Sequence, residues 1–251
     1  MKALTRDQRI RAIEAMGLGP IWVRSHPDPQ ADPPQTGLAG EPVEDRSNAI
    51  ASMSWDRLID TVSTCRACRL CETRTQTVFG VGVGGVVNTE RPEWMIIGEA
   101  PGADEDARGE PFVGQAGRLL DAMLASVGLS RDRNAFIANV LKCRPPGNRD
   151  PAPDEVAQCL PFLRRQIEWL APRLILVVGK FASTALLGRE ATIASLRGKA
   201  HHVSIGGREI PVIVTYHPAY LLRSPQDKAK AWVDLCLARR IAANSGTATT
   251  L

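Results

Sequence analysis

Three cysteines fall within seven residues of the stretch CRACRLCETR: Cys65, Cys68 and Cys71. Thiols spaced Cys-x-x-Cys can grip one metal centre, because a tight turn brings both sulfurs to the same side. A second pair, Cys143 and Cys159, has fifteen residues between its members in KCRPPGNRDPAPDEVAQC, across a basic, proline-rich loop and the start of a helical run. Four thiolates complete either a tetrahedral zinc site or an iron–sulfur cubane, and spacing alone leaves both open. The simplest set is Cys65, Cys68, Cys143 and Cys159. Cys71 is a spare that could replace Cys68, and Cys236, in an apolar helical stretch, reads as a packing residue.

Three further stretches carry side chains that could do chemistry. In IIGEAPGADEDARGEPFVG an apolar run ends at Gly98-Glu99-Ala100-Pro101-Gly102. Glycines at a strand end let backbone N–H groups approach a ligand closely. The absence of Gly-Lys-Ser/Thr argues against a nucleotide-phosphate loop. Phe112 follows, an aromatic able to stack on a planar ring. In IANVLKCRPP, Asn139 closes a strand, and its amide offers both a donor and an acceptor to a base edge. In VTYHPAYLLR, His217 follows a strand and can donate a hydrogen bond to developing negative charge. Behind it Leu221 and Leu222 are apolar bulk beside Arg223, a pattern that suits a wedge into a base stack. Taken singly, Phe112 reads as a core residue, Asn139 as a turn former, His217 as a cap and the leucines as packing.

The elements that must hold these residues alternate. EWMIIGEA, NAFIANVL, RLILVVG and GREIPVIVTYHP read as strands. SWDRLIDTVST, QAGRLLDAMLASVG, DEVAQCLPFLRRQIEWLA, KFASTALLG and DKAKAWVDLCLARRIAA read as helices, the third with a bend at Pro161. Such alternation implies a parallel sheet covered on both faces, with sites at the carboxyl ends of the strands. Residues 1–54 form an N-terminal extension: a short amphipathic helix over 5–17, then a linker rich in Pro, Gly and Asp. Residues 55–242 form the core domain and 243–251 a tail.

The chain has 251 residues, 44% hydrophobic and 23% charged, with a net charge of +4. That suits one α/β domain with an extension and gives a mild bias toward polyanions. No run of eighteen apolar residues and no signal-peptide pattern is present, so a cytoplasmic protein without membrane contact is expected. In a reducing compartment clustered cysteines point to metal or chemistry rather than to disulfides.

Together CRAC, GEAPGADED, PFVGQAGRLL, NVLKCRPPGNRDP and YHPAYLL resemble the iron–sulfur uracil-DNA glycosylases, family 4 of their superfamily. The resemblance spans about residues 56–242 with the motifs in the family's order. It implies a three-layer α/β/α sandwich with a central four-stranded parallel sheet. It implies a [4Fe–4S] cluster on Cys65, Cys68, Cys143 and Cys159, structural in role. The implied reaction flips uracil from DNA and hydrolyses its N-glycosidic bond through an oxocarbenium-like transition state, leaving an abasic site. Phe112 would stack on the base, Asn139 would read its N3 and O4 edge, and His217 would donate to O2. Gly98 and Ala100 would line the pocket. Ala100 stands where a better-known family has an aspartate, and Glu99 would position groups or water instead. Tyr220, Leu221 and Leu222 are wedge candidates, and Arg144, Arg149 and Arg223 are phosphate-contact candidates. With no lysine at the site, a monofunctional glycosylase is expected. The protein would act as a monomer on uracil-containing DNA, and the extension is a candidate tether for a repair partner.

The rival readings are a covalent and a non-catalytic binder of uracil-containing DNA. The covalent subgroup carries a basic insertion with a reactive histidine after the Asn motif. RPPGNRDPAP holds no histidine.

Overall fold

The alternation read from the sequence becomes a single sheet in the computed structural model, which describes residues 43–84 and 90–245. The expected helix over 5–17, its linker and the last residues of the tail lie outside that range. Among the described residues no helix is long and apolar enough to cross a membrane.

Six strands make up the sheet: β1 (Val81–Gly82), β2 (Trp94–Gly98), β3 (Ala135–Asn139), β4 (Leu174–Val178), β5 (Ala200–Ile205) and β6 (Arg208–Thr215). Their order is β1-β3-β2-β4-β6-β5. The four inner strands are parallel, as expected, with Ile96 level with both Ile137 and Leu176. An antiparallel strand lies along each outer side, β1 on β3 and β5 on β6, and neither was legible in the sequence. β1 is two residues long and β5 alternates in exposure, so neither carries the run of apolar residues that marks an inner strand.

Period-2 alternation divides the inner strands between two cores. Met95, Ile97, Phe136, Ala138, Ile175, Val177, Val212 and Val214 face one side, against Trp55, Leu58, Phe162, Leu163 and Ala182 of the helices there. Trp94, Ile96, Ile137, Leu174, Leu176 and Ile213 face the other, against Leu120, Leu124, Leu235 and Ala238. These inner-strand residues are 0–2% exposed, and burying each large one contributes about 1.5–3 kcal/mol. Three layers follow, helix on sheet on helix.

The helices keep close to their expected limits. Ser54 caps Trp55–Ser63 by accepting from the Arg57 N–H at 3.4 Å. Gln115–Ala125 is followed by Gly128 at φ 82°, and Lys180–Leu187 ends at a left-handed Gly188. Pro153–Leu170 runs through Pro161 as one element. Lys228–Ser245 continues past the tail boundary placed at 242. A helix at Val43–Ala51, inside the stretch read as a linker, packs on Pro153–Leu170 and buries Ile50 in the first core. Among the described residues, compact structure therefore starts before Ser54.

Candidate active site and cysteine centre

The chain leaves β2 and goes to β3 on one side of it, then crosses to β4 on the other, which opens a crevice at the carboxyl ends. Val140 N–H donates to Gly98 O (2.9 Å) and Leu141 N–H to Glu99 O (3.0 Å), carrying the β2–β3 pairing past both strand ends. Gly98 and Asn139 are therefore held side by side. A cavity opens here, lined among others by Glu99, Ala100, Phe112, Asn139, His217 and Arg223. The structure thus assembles residues separated by more than a hundred positions in the chain.

Gly98 is required by close approach. A Cβ there would lie 2.4 Å from Asn139 Oδ1 and 2.7 Å from the Phe112 ring. Asn139 is 2% exposed and its Oδ1 has no hydrogen-bond partner. A buried acceptor without a donor is costly, about 1–3 kcal/mol, and marks where a ligand N–H would be received.

Phe112 adopts φ 55°, a conformation rare for a bulky residue. Three groups hold it. Arg131 donates from Nη1 to Pro111 O (3.2 Å) and from Nη2 to Phe112 O (3.1 Å). Glu105 accepts from Val113 N–H (3.0 Å) and Gly114 N–H (3.4 Å), while its other oxygen accepts from Gly102 N–H (3.0 Å). Gly117 leaves room for the Phe112 carbonyl, which a Cβ would meet at 1.8 Å. The Phe112 ring lies 5.5 Å from the His217 ring at 29°. Sequence reading missed Glu105 and Arg131; the capping pattern Gly102-x-x-Glu105 was the available signal for the first.

His217 caps the helix Pro218–Arg223, its Nδ1 accepting from Ala219 N–H at 3.1 Å. An accepting Nδ1 places the proton of the neutral ring on Nε2, the nitrogen left to donate. Burial, helped by nearby Arg223, lowers its pKa to about 4, so the ring is neutral at physiological pH. Glu99 shifts the opposite way: burial, then the carboxylate of Asp150, raises its pKa above the usual carboxylate value.

The six DNA-contact candidates separate. Leu221 is 1% exposed and packs in the second core, which corrects its reading as a wedge. Leu222, its neighbour, is 41% exposed. Tyr220 lines the cavity, stacks on Tyr216 at 5.0 Å and donates to Asp227 at 2.6 Å. Arg223 is exposed at the rim. Arg144 donates to Asn148 Oδ1 at 2.8 Å, which shapes the loop bearing Asn148 into the cavity. Arg149 forms a two-toothed ion pair with Glu155 (2.9 and 2.5 Å), while its side chain stays 46% exposed.

On the far side of Asn139 lies a second cavity. Cys65, Cys68, Cys71, Cys143 and Cys159 all line it, together with Arg74 and Lys142. Cys236 does not. Cations and a backbone amide already point at the sulfurs: Arg74 Nη1 donates to Cys143 Sγ (3.0 Å), Arg46 Nη2 to Cys65 Sγ (3.4 Å) and Lys142 N–H to Cys159 Sγ (3.3 Å). Burial pushes Cys68 up to about 11 and Cys159 up to about 12, and raises Cys143. Buried thiols of this kind ionise when a metal takes the proton's place. Burial also lowers Lys142 to about 8, opposed by the thiols of Cys159 and Cys143. Among the described residues no three His, Cys, Asp or Glu are grouped as a single-ion site. The donor set fits an anionic, thiolate-held group: sulfur ligands from three segments around one cavity, with positive charge and N–H donors directed at them.

A profile of the Uracil DNA glycosylase superfamily matches residues 85–239. A Type-4 uracil-DNA glycosylase of Archaeoglobus fulgidus is 45% identical over 177 residues, 69% of this chain and 85% of that protein. One of Pyrobaculum aerophilum is 40% identical over 189 residues, 74% of this chain and 93% of that protein. A Type-5 uracil-DNA glycosylase of Pyrobaculum aerophilum is 32% identical over 142 residues, 51% of this chain and 61% of that protein.

Proposed function

The chain belongs to the uracil-DNA glycosylase superfamily, beside its Type-4 members, and on that premise we propose that the crevice at the ends of β2, β3 and β6 removes uracil from DNA by hydrolysing its N-glycosidic bond. The observation that carries this reading is the unpartnered Asn139 Oδ1, buried beside Phe112 and His217.

A base inside a duplex must be flipped out before its glycosidic bond can be reached. In the pocket the Phe112 ring supports the base face. Asn139 accepts from uracil N3–H and donates to O4; cytosine presents an acceptor and a donor there and leaves both groups mismatched. The C1′–N1 bond breaks with its electron pair passing to uracil, and charge develops on O2. His217 donates from Nε2–H to that oxygen. A neutral imidazole fits this task, because it stabilises the anion without giving up a whole proton. The sugar is left as an oxocarbenium ion. Water adds to C1′ and releases a proton to solvent or to Glu99, whose raised pKa suits a carboxylate that positions the water. Among the described residues no lysine lines the cavity, which supports a monofunctional enzyme that stops at the abasic site.

Cys65, Cys68, Cys143 and Cys159 would hold a [4Fe–4S] cluster, which supplies a cross-link and a fixed negative charge rather than a step of the reaction. Leu222 and Tyr220 remain the wedge candidates, and Arg223 and Arg144 the phosphate contacts. A monomer acting in the cytoplasm on uracil-containing DNA, with the N-terminal extension as a tether for a repair partner, completes the proposal.

One experiment tests the whole. The protein is purified without oxygen, its visible spectrum recorded, and an oligonucleotide with a single uracil treated and then cleaved by alkali. A brown protein that nicks only at uracil is expected. A DNA adduct that resists denaturation, with no nick, would overturn hydrolysis in favour of a covalent binder.

A further inference from the structure

Lys142 lines the cysteine cavity and is bonded to the main chain of Asn139, whose side chain lines the other cavity. Its side chain is 1% exposed, yet it takes part in no ion pair within 4 Å among the described residues. Nζ donates to Gln166 Oε1 (2.6 Å), Asn139 O (2.9 Å) and Phe79 O (3.2 Å). Three N–H groups meet three acceptors, which only an ammonium can satisfy. Gln166, fully buried, is held in turn by donating to Phe79 O at 3.0 Å. The same residue's backbone N–H donates to Cys159 Sγ at 3.3 Å, and its chain neighbour is Cys143.

A buried cation needs an opposite charge, and all three acceptors here are neutral. Lys142 shares the cysteine cavity with Cys143 and Cys159, and their sulfurs supply negative charge there once they are thiolates. The ammonium in turn fixes the main chain of Asn139. We propose that Lys142 is a positioning residue that couples the cysteine centre to base recognition. Charge on the thiolates keeps the ammonium in place, the ammonium holds the Asn139 backbone, and Asn139 reads the uracil edge. This rests on the reading of the two cavities given under the proposed function. It goes beyond that reading by making the centre part of the specificity apparatus.

Coupling between sites is reciprocal, so uracil in the pocket must perturb the cluster. The test uses the intact holoprotein, free uracil as the probe, and Lys142→Met, which keeps the length of the side chain and removes its charge and donors. In the unaltered protein saturating uracil is expected to shift the midpoint potential of the cluster. Lys142→Met should retain its iron, bind free uracil roughly tenfold more weakly, and show no uracil-dependent shift. A cluster unmoved by uracil in the unaltered protein would overturn the proposal, and so would a shift of equal size in Lys142→Met. Should Lys142→Met fail to fold, Gln166→Met, which removes one acceptor, should show a reduced shift; a full-sized one overturns the coupling. A colourless parent protein that releases no uracil sinks instead the underlying function.

Discussion

The two cavities flank the same strand end and are built on opposite plans. The cavity lined by Phe112, Asn139 and His217 encloses about 1130 Å³ of atom-free space, solvent included, and the cysteine cavity about 310 Å³. In the pocket a buried acceptor has no partner and a neutral histidine has a nitrogen left to donate. In the cysteine cavity the donors are already spent on the sulfurs. A site that keeps its polar groups unpaired suits a ligand that enters and leaves. A site whose second layer is directed at its ligands suits a permanent resident. The teaching is that reactivity and permanence are separated by only three residues, Val140 to Lys142, between Asn139 and Cys143.

Substitutions should keep the two plans apart. Cys143→Ala should have the largest effect: loss of iron and colour, with the unfolding temperature lowered by roughly 10 °C or more, since metal binding is folding free energy. Iron analysis and a melting curve read this, and full iron occupancy would reassign the ligand set. His217→Ala should keep its iron but slow uracil release by about 100- to 1,000-fold in single turnover. A near-normal rate removes His217 from the chemistry. Asn139→Asp should lower the preference for uracil over cytosine by roughly 10- to 100-fold, measured on paired oligonucleotides, again with iron intact.

The pH profile sharpens the comparison further. His217 is neutral down to about 4, so it should contribute no change in rate between pH 5 and 8. Glu99, whose pKa burial raises, is the group expected to give an acid limb, which should vanish in Glu99→Gln. For stability the sign follows from the protons bound. Between about 4 and 6.5 the unfolded chain protonates His217 and the folded chain does not, so stability falls as pH drops through that window. The smallest effect is expected on binding. Arg223→Ala should reduce the slope of log affinity against log salt by about 1, while Arg149→Ala, whose guanidinium serves Glu155, should leave that slope unchanged.

Legibility in the sequence followed whether a signal was local. The apolar runs of β2, β3, β4 and β6 and the helices between them were readable because burial on both faces leaves a continuous pattern. The short outer strands β1 and β5 lack it. Leu221 and Leu222 are equivalent as letters, but one step along a helix turns a side chain by about a quarter of the circle, and only the fold shows which of them meets the core. Arg131 supports Phe112 from nineteen residues away, a partnership with no spacing to reveal it.

By itself the sequence determined the layered α/β architecture and the clustering of the cysteines, because each is a pattern of residue types along the chain; Phe112, Asn139 and His217 taken singly read as packing, turn and cap, and stood out only through the family resemblance. The tertiary structure alone decided which arginines are engaged, that the helix Val43–Ala51 joins the core, and that Lys142 is buried. The physical reason is that charge balance is a property of neighbours in space. A lysine is ordinarily an exposed side chain, and nothing along the chain announces that the acceptors of this one come from Phe79, Asn139 and Gln166.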